Sequence, residues 1–421
     1  MQPERLGRQP APQRQLGSPR AAGNQPERRL RIALLTHSIN PRGGVVHCLE
    51  LGEALTALGH EVTLHAPAAE GARLFRDSRC EIRLIAEHGR HSTLRSLVQA
   101  RIAAFTDWFA APGRAGFDLY HAHDGIGANA LLALRQRGLL PAYLRTVHHL
   151  ESSFGDPVVD ALELRSIQRA DRLLCVSPSW QQALRERLGL AAGLVGNGVD
   201  LARFQPRPDA GDAALKARLG LGDAPVFLAV GGIEARKNTL GTLRAFARLR
   251  RTLGAAQLVI AGGASLLDHG AYRRAFDAAL AAEGLAQGEH GGAVILAGVL
   301  ADAEMPALYR LADALVFPSL VEGFGLAILE AMASGTPAVV SRIAPFTDFL
   351  GAEDCLWADP QDAESIASAM CRALMPGTRE RVIAAGHATA ARHDWPACAR
   401  AHLAAYGELL AATRFPETPH A

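Results

Sequence analysis

Short apolar runs alternate with longer amphipathic stretches along most of this chain, and they do so in two series. The first series opens at 31–36 (RIALLT) and passes through a loop at 40–44 (NPRGG). An amphipathic stretch follows, with Val45, Val46, Leu49, Ala54, Leu55 and Leu58 at helical spacing, and Gly59 stands just past it. Next comes 61–66 (EVTLHA). A continuous apolar run reads as a strand buried on both faces, a 3.6-residue apolar period as a helix, and the glycine as its C-terminal cap. Strand, helix and strand within about 35 residues make a βαβ unit. Further strand-like runs lie at 82–85, 118–121, 143–147 and 172–176, with helical stretches at about 93–109, 125–137 and 159–169 between them. Parallel strands require crossover connections, so this alternation predicts a doubly wound α/β domain.

The rhythm breaks at 194–208, where the turn cluster Asn197, Gly198, Val199, Asp200 is followed by Pro206 and Pro208. A second series then runs through strands at 226–230, 258–261, 294–296, 314–317 and 338–341. Helices at about 238–252, 271–283, 303–311, 325–334 and 361–374 separate them. The chain therefore divides into a tail at 1–29, a Rossmann-like domain at 30–195, a second at 196–395, and a C-terminal helix and tail at 396–421. Periodicity does not reveal the role of that last, alanine-rich segment. The fold class is α/β, with two doubly wound domains facing a central cleft. Ligands of such sheets bind beyond the carboxyl ends of the strands, which here face the cleft.

Composition works mainly by exclusion. Residues 1–29 hold six arginines and two glutamates, a charge of +4, and leave the remainder at −2. The folded part is thus no nucleic-acid binder on charge grounds. The tail is rich in Pro, Gln and Arg, which predicts disorder, and it lacks the apolar core of a signal peptide. No apolar run reaches the ~18 residues of a membrane helix. The six cysteines are scattered without a Cys-x-x-Cys pair, which argues against a zinc ribbon, an iron–sulfur cluster or a disulfide scaffold. They fit a reducing cytoplasm.

The strongest local signal is 318–337 (PSLVEGFGLAILEAMASGTP), which follows a predicted buried strand and opens a helix. Gly323 and Gly325 free the backbone at the helix start, where exposed N–H groups and the helix dipole favour an anion such as a diphosphate. Glu322 stands just outside the helix. Glu330 lies less than two turns inside it, at a depth that suits vicinal hydroxyls such as those of a ribose. Either glutamate alone reads as an ordinary surface or helix acid; their shared setting singles them out. Lys237 and Arg236 precede a helix whose dipole a cation opposes, so a purely structural purpose fits them poorly.

This stretch resembles the glutamate–seven residues–glutamate signature of retaining glycosyltransferase family 4. Other pieces resemble that family in the right order: the glycine loop with Gly43 and Gly44, the strand ends with His121, His123 and Asp124 and with Arg145 and His148, the turn at Asn197, and the basic loop with Arg236 and Lys237. The resemblance covers roughly residues 30–395. It implies the GT-B fold, a nucleotide-sugar donor held mainly on the C-terminal domain, an acceptor mainly on the N-terminal one, and no resident cofactor. The acceptor, whether small molecule, glycan or lipid, has no portable code. Carried over by position, Glu322, Lys237 and His148 are the catalytic candidates. Arg236, Val299, Leu300, Gly323, Phe324, Gly325, Leu326 and Glu330 are the donor-binding candidates, and Gly43 and Gly44 the cleft loop. Val299 and Leu300 read equally well as core packing after a strand. Several histidines near one cleft also suggest a metal; the resemblance needs none and no Asp-x-Asp motif is present, so no metal site is assigned.

Two departures stand out. Gly231-Gly232 replaces the Gly-Arg that the family commonly carries, leaving Arg236 or Arg42 as the substitute for a phosphate-binding arginine. The segment 342–348 (RIAPFTD) replaces a Gly-Gly-x-x-Glu turn. Three alternatives share the fold: a nucleotide-sugar epimerase, a glycan phosphorylase, for which no pyridoxal-lysine motif is present, and a catalytically silent nucleotide-sugar binder. The segment 90–114 mixes arginines with Leu94, Leu97, Val98, Phe105, Trp108 and Phe109, a composition suited to peripheral membrane contact or, more simply, to packing on its own sheet.

Overall fold

A computed structural model describes residues 28–414 apart from 88, 90, 152, 264–269 and 289–291. The reading of a disordered basic tail falls on residues 1–27, outside the described residues. Two seven-stranded parallel sheets form the frame. The first contains β1 (Arg31–Leu35), β2 (Glu61–Ala68), β3 (Glu81–Ala86), β4 (Leu119–Ala122), β5 (Leu144–Val147), β6 (Arg172–Cys175) and β7 (Gly193–Leu194), in the order β3-β2-β1-β4-β5-β6-β7. The second contains β8 (Val226–Val230), β9 (Gln257–Ala261), β10 (Gln287–Gly288), β11 (Val294–Gly298), β12 (Ala314–Phe317), β13 (Ala338–Ser341) and β14 (Leu356–Ala358), in the order β10-β11-β9-β8-β12-β13-β14. The strand order reverses between β1 and β4, and between β8 and β12. Such switch points open crevices at the carboxyl ends of the strands. The two-domain, doubly wound architecture is the one expected.

The strands read as continuous apolar runs because helices cover both faces of each sheet. Ile32, Ala33, Leu34 and Leu35 of β1 are all fully buried. Several elements escape a periodicity reading. The helix Pro178–Leu188 buries only Leu184, so its apolar stripe is too thin to stand out. The helix Pro376–Ala391 buries mostly small residues. The helix Ala210–Leu219 falls where prolines and glycines suggest linker, and β7 and β10 are two residues long. The helix Leu94–Ala110 turns Val98, Phe105 and Phe109 into the core. The guanidinium of Arg114 covers the Trp108 ring at 3.5 Å. Those aromatic groups thus pack on their own domain. Among the described residues no helix is long and apolar enough to cross a membrane.

The C-terminal helix Trp395–Arg414 crosses back from the second domain to the first. Trp395, Cys398, Ala399, Ala405, Tyr406 and Leu409 join the core that holds Leu34, Leu49, Leu55 and Leu144. The two crossovers meet: the Val199 N–H donates to the carbonyl of His393 at 2.9 Å. A Cβ on Gly198 would lie 2.5 Å from the Trp395 backbone nitrogen. Gly198→Ala is therefore expected to destabilise the protein by about 1–3 kcal/mol, because backbone rather than a side-chain tip must give way. Equilibrium urea unfolding checks it, read as a lower midpoint at unchanged slope.

Candidate active site

The loop between β12 and the helix Leu326–Ala333 places Glu322 in the cleft. Glu322 is 8% exposed. Its Oε1 accepts the Lys237 ammonium at 2.6 Å and is also bridged by the Arg236 guanidinium. Desolvation works to raise the Glu322 carboxyl, but Lys237 and then Arg236 outweigh it and hold it below the usual carboxylate range. Burial pulls the Lys237 ammonium downward, with Glu322 opposing. The lysine also lies 4.3 Å above the Phe317 ring. Glu234, also buried, lies 3.7 Å from Arg236, so two carboxylates and two cations are locked together at the carboxyl end of the second sheet.

Local geometry explains the Gly231-Gly232 departure. Both residues have positive φ, +118° and +74°. A Cβ on Gly231 would meet Lys237 Cε at 2.7 Å, and one on Gly232 the carbonyl of Gly263 at 2.8 Å. An arginine at 232 is excluded by this backbone. Arg42 of the N-terminal loop lies near enough to Glu234 and Arg236 to feel both charges, which places it opposite them across the cleft.

The donor-side candidates separate into two groups. Glu330 accepts the Tyr309 hydroxyl at 2.6 Å. Burial raises its carboxyl, with Tyr309 opposing. Val299 is 67% exposed, whereas Leu300 packs partly against the core. Phe324 turns inward and stacks on Phe349 with ring centres 4.6 Å apart. Its side chain belongs to the core, so only its backbone is available to a ligand. Leu326 packs against the cores of both domains. Gly325, at φ +109°, starts the helix.

Across the cleft, His148 follows β5. A Cβ on Gly44 would lie 3.2 Å from the His148 ring, and one on Gly323 would lie 2.7 Å from the His148 carbonyl oxygen. The two glycine loops and this histidine therefore converge, while a Cβ on Gly43 would meet nothing. Burial holds His148 well below its ordinary pKa, and neighbouring His47 and Arg145 add to this, so the ring is neutral. His121 is spoken for: Tyr406 Oη lies 2.8 Å from its Nδ1 and Thr146 Oγ1 2.8 Å from its Nε2. Asp124 caps the helix Gly125–Gln136 by accepting the Gly127 N–H at 2.8 Å.

Three contributors carried no sequence signal. Trp180 Nε1 donates to the Gly323 carbonyl at 2.8 Å, across the cleft. The backbone and side chain of Ser179 donate to Asp348 at 2.9 and 2.7 Å. Asp348 belongs to the altered segment 342–348, which here clasps the first domain. Tyr309 is the third, through its bond to Glu330.

Comparison with known proteins adds the following. Residues 224–375 match the family described as Glycosyl transferases group 1. Residues 41–203 match Glycosyltransferase Family 4. The chain is 30% identical over 385 residues to a GDP-mannose-dependent alpha-(1-6)-phosphatidylinositol monomannoside mannosyltransferase of Mycolicibacterium smegmatis, covering 86% of this chain and 93% of that protein. Among solved structures it is similar to sucrose-phosphate synthase from Thermosynechococcus elongatus, with a TM-score of 0.74, 24% identity, and coverage of 91% and 100%. It is also similar to the Anabaena protein HepE in complex with UDP-glucose, with a TM-score of 0.70, 15% identity, and coverage of 91% and 100%.

Proposed function

The chain belongs to glycosyltransferase family 4, and within that class of nucleotide-sugar enzymes we propose that it transfers a sugar to an acceptor hydroxyl with retention of anomeric configuration and with no divalent ion at the diphosphate. The observation that carries this reading is the Lys237–Glu322–Arg236 cluster at the start of the helix Leu326–Ala333, in which Glu322 is buried, Lys237 nearly so and Arg236 part-exposed. Two cations held in place at the cleft, Lys237 largely desolvated and Arg236 part-exposed, can offset the charge that develops on a departing diphosphate, and this kind of preorganised electrostatics is often the largest catalytic term. A metal is then not needed for that task. The diphosphate is itself a good leaving group, so a strong general acid is not needed either.

Retention by double displacement needs a free carboxylate beneath the anomeric carbon. The acids at these strand ends have other partners: Glu322 carries Lys237 and Arg236, Glu234 lies 3.7 Å from Arg236, and Asp124 caps a helix. This supports a front-face transfer in which the leaving phosphate oxygen takes the acceptor proton. Neutral His148, beside the glycine loops, orients the donor sugar by hydrogen bonding. Glu330 binds the ribose hydroxyls, and the exposed Val299 flanks the base. All six cysteines are unpaired, as suits a reducing cytoplasm.

A thermal-shift screen of nucleoside diphosphates and their sugars, run in chelator, tests the reading. One base is expected to stabilise at concentrations well above its dissociation constant. NMR of the product should then show the donor's anomeric configuration. Silence with every nucleotide, or an inverted product, overturns the proposal. A second result concerns Glu330. Tyr309→Phe removes the hydroxyl that holds the Glu330 carboxyl down, so that pKa rises further. As pH falls, the variant protonates Glu330 before wild type does and loses nucleotide affinity at a higher pH. Nucleotide thermal shifts across a mildly acidic pH series check this.

A further inference from the structure

Five histidine rings pack together under the strand ends of the first domain: His47, His121, His123, His148 and His402. In two of them the chain fixes which nitrogen carries the proton. His47 Nδ1 lies 2.7 Å from Asn197 Oδ1, and His402 Nδ1 lies 2.9 Å from the carbonyl of Cys398. A carbonyl oxygen only accepts, so each Nδ1 is the N–H and each Nε2 a bare lone pair. Both side chains are fully buried. Neither Nε2 has a hydrogen-bond partner among the described residues. Two unsatisfied lone pairs in one buried, water-excluded cluster are costly unless an electron-pair acceptor serves them.

A third donor atom stands beside them. Cys398 and His402 are one turn apart on the C-terminal helix, at the i, i+4 spacing that presents two ligands on one face. One ring nitrogen from each of His47 and His402 and the Cys398 sulfur all lie within 4.8 Å of one another, the sulfur being 3.7 Å from His402 Nδ1, and all three residues are buried. We propose that His47, Cys398 and His402 form a structural binding site for a divalent ion of the zinc class. Imidazole nitrogen and thiolate sulfur are the donors such an ion selects. The Nδ1–H bonds to carbonyl oxygens are the outer contacts that orient metal-bound histidines. Binding sends the Cys398 thiol proton to solvent, leaving the thiolate as ligand. His123 lies beside the three ligands: its ring centre is 5.3 Å from that of His47, and neither ring nitrogen has a partner among the described residues.

The placement gives the ion a purpose distinct from sugar transfer. His47 comes from the helix Gly43–Ala57 of the first domain, and Cys398 and His402 from the helix that has crossed back from the second. The ion staples this crossover to the first domain. The diphosphate is served by Lys237 and Arg236, so transfer without a metal at the donor and a metal at the crossover are compatible.

The test uses the untagged full-length protein, stripped with a strong chelator under reducing conditions and titrated with Co2+. The expected result is saturation at one equivalent, with a thiolate-to-cobalt charge-transfer band, strong tetrahedral d–d absorption, and displacement of both by Zn2+. Zinc should also raise the Tm of the stripped protein. Cys398→Ser is expected to lose the charge-transfer band, and His402→Gln, which removes a ligand, to weaken binding by at least the roughly 10–100-fold typical of losing an outer contact. Absence of a thiolate band in wild type, or a band that survives in Cys398→Ser, overturns the assignment. The wild-type spectrum decides even if a variant fails to fold. Nucleotide thermal shifts on the same stripped sample separate failure of the ion site from failure of the donor site.

Discussion

Lys237→Ala is expected to lower the rate of sugar transfer by about 10²–10³-fold, the loss seen when one preorganised donor is removed from a developing oxyanion. Lys237 is the more buried of the two cations on Glu322, with its side chain 15% exposed against 38% for Arg236. Its charge therefore acts through the lower local dielectric. Removing it leaves Arg236 on Glu322, so the carboxylate keeps a partner and the fold should survive. Glu322→Ala is expected to cost at least as much transfer, because it removes the group that positions both cations. The double variant should be little worse than the worse single one, since groups acting as a unit are strongly non-additive. Single-turnover rates with saturating donor check all three, alongside Tm values to separate stability from chemistry. Additive losses would mean that Lys237 and Glu322 act apart.

Gly323→Ala is expected to lower transfer by about 10²-fold while leaving a folded protein. The added Cβ would sit 2.7 Å from the His148 carbonyl oxygen. Backbone cannot swing aside as a side-chain tip can, so the donor loop must retreat from the strand end of the first domain. That retreat also strains the bond from Trp180 Nε1 to the Gly323 carbonyl. Misplacement of reacting groups by about 1 Å is enough for a loss of this size. The comparison of kcat with KM distinguishes the cause. A misaligned donor lowers kcat, whereas a merely weakened pocket raises KM. A variant with wild-type kcat would show that His148 and Gly323 need not touch for transfer.

Much of the site is legible in the amino-acid sequence. A glycine-opened helix after a buried strand, with Glu322 and Glu330 in set places and Lys237 at another strand end, is a local pattern. The structure brings Glu322, Lys237 and Arg236 into one cluster and sets His148 against Gly44 and Gly323. Phe324 shows the limit of the pattern. Its position matches the motif, yet its ring is drawn into the core by Phe349, which no spacing rule connects to it. The reading of 342–348 as an altered donor turn missed its second use, because Asp348 meets Ser179 from the other domain, 169 residues away.

What the sequence alone determined is what short-range periodicity encodes. Apolar runs and 3.6-residue stripes specify parallel strands and their helices, and these require two doubly wound domains with a cleft at their strand ends. What only the tertiary structure decided is which distant groups share a space. Trp180 reaches Gly323 across 143 residues, and Tyr406 reaches His121 across 285. The course of the C-terminal helix, and with it the meeting of Cys398 and His402 with His47, follows from burial of a face that carries Trp395, Tyr406 and Leu409 against the first domain. The physical reason is that hydrophobic burial has no direction of its own. Local pattern says which face of an element must be covered, and only close packing of the whole chain selects what covers it.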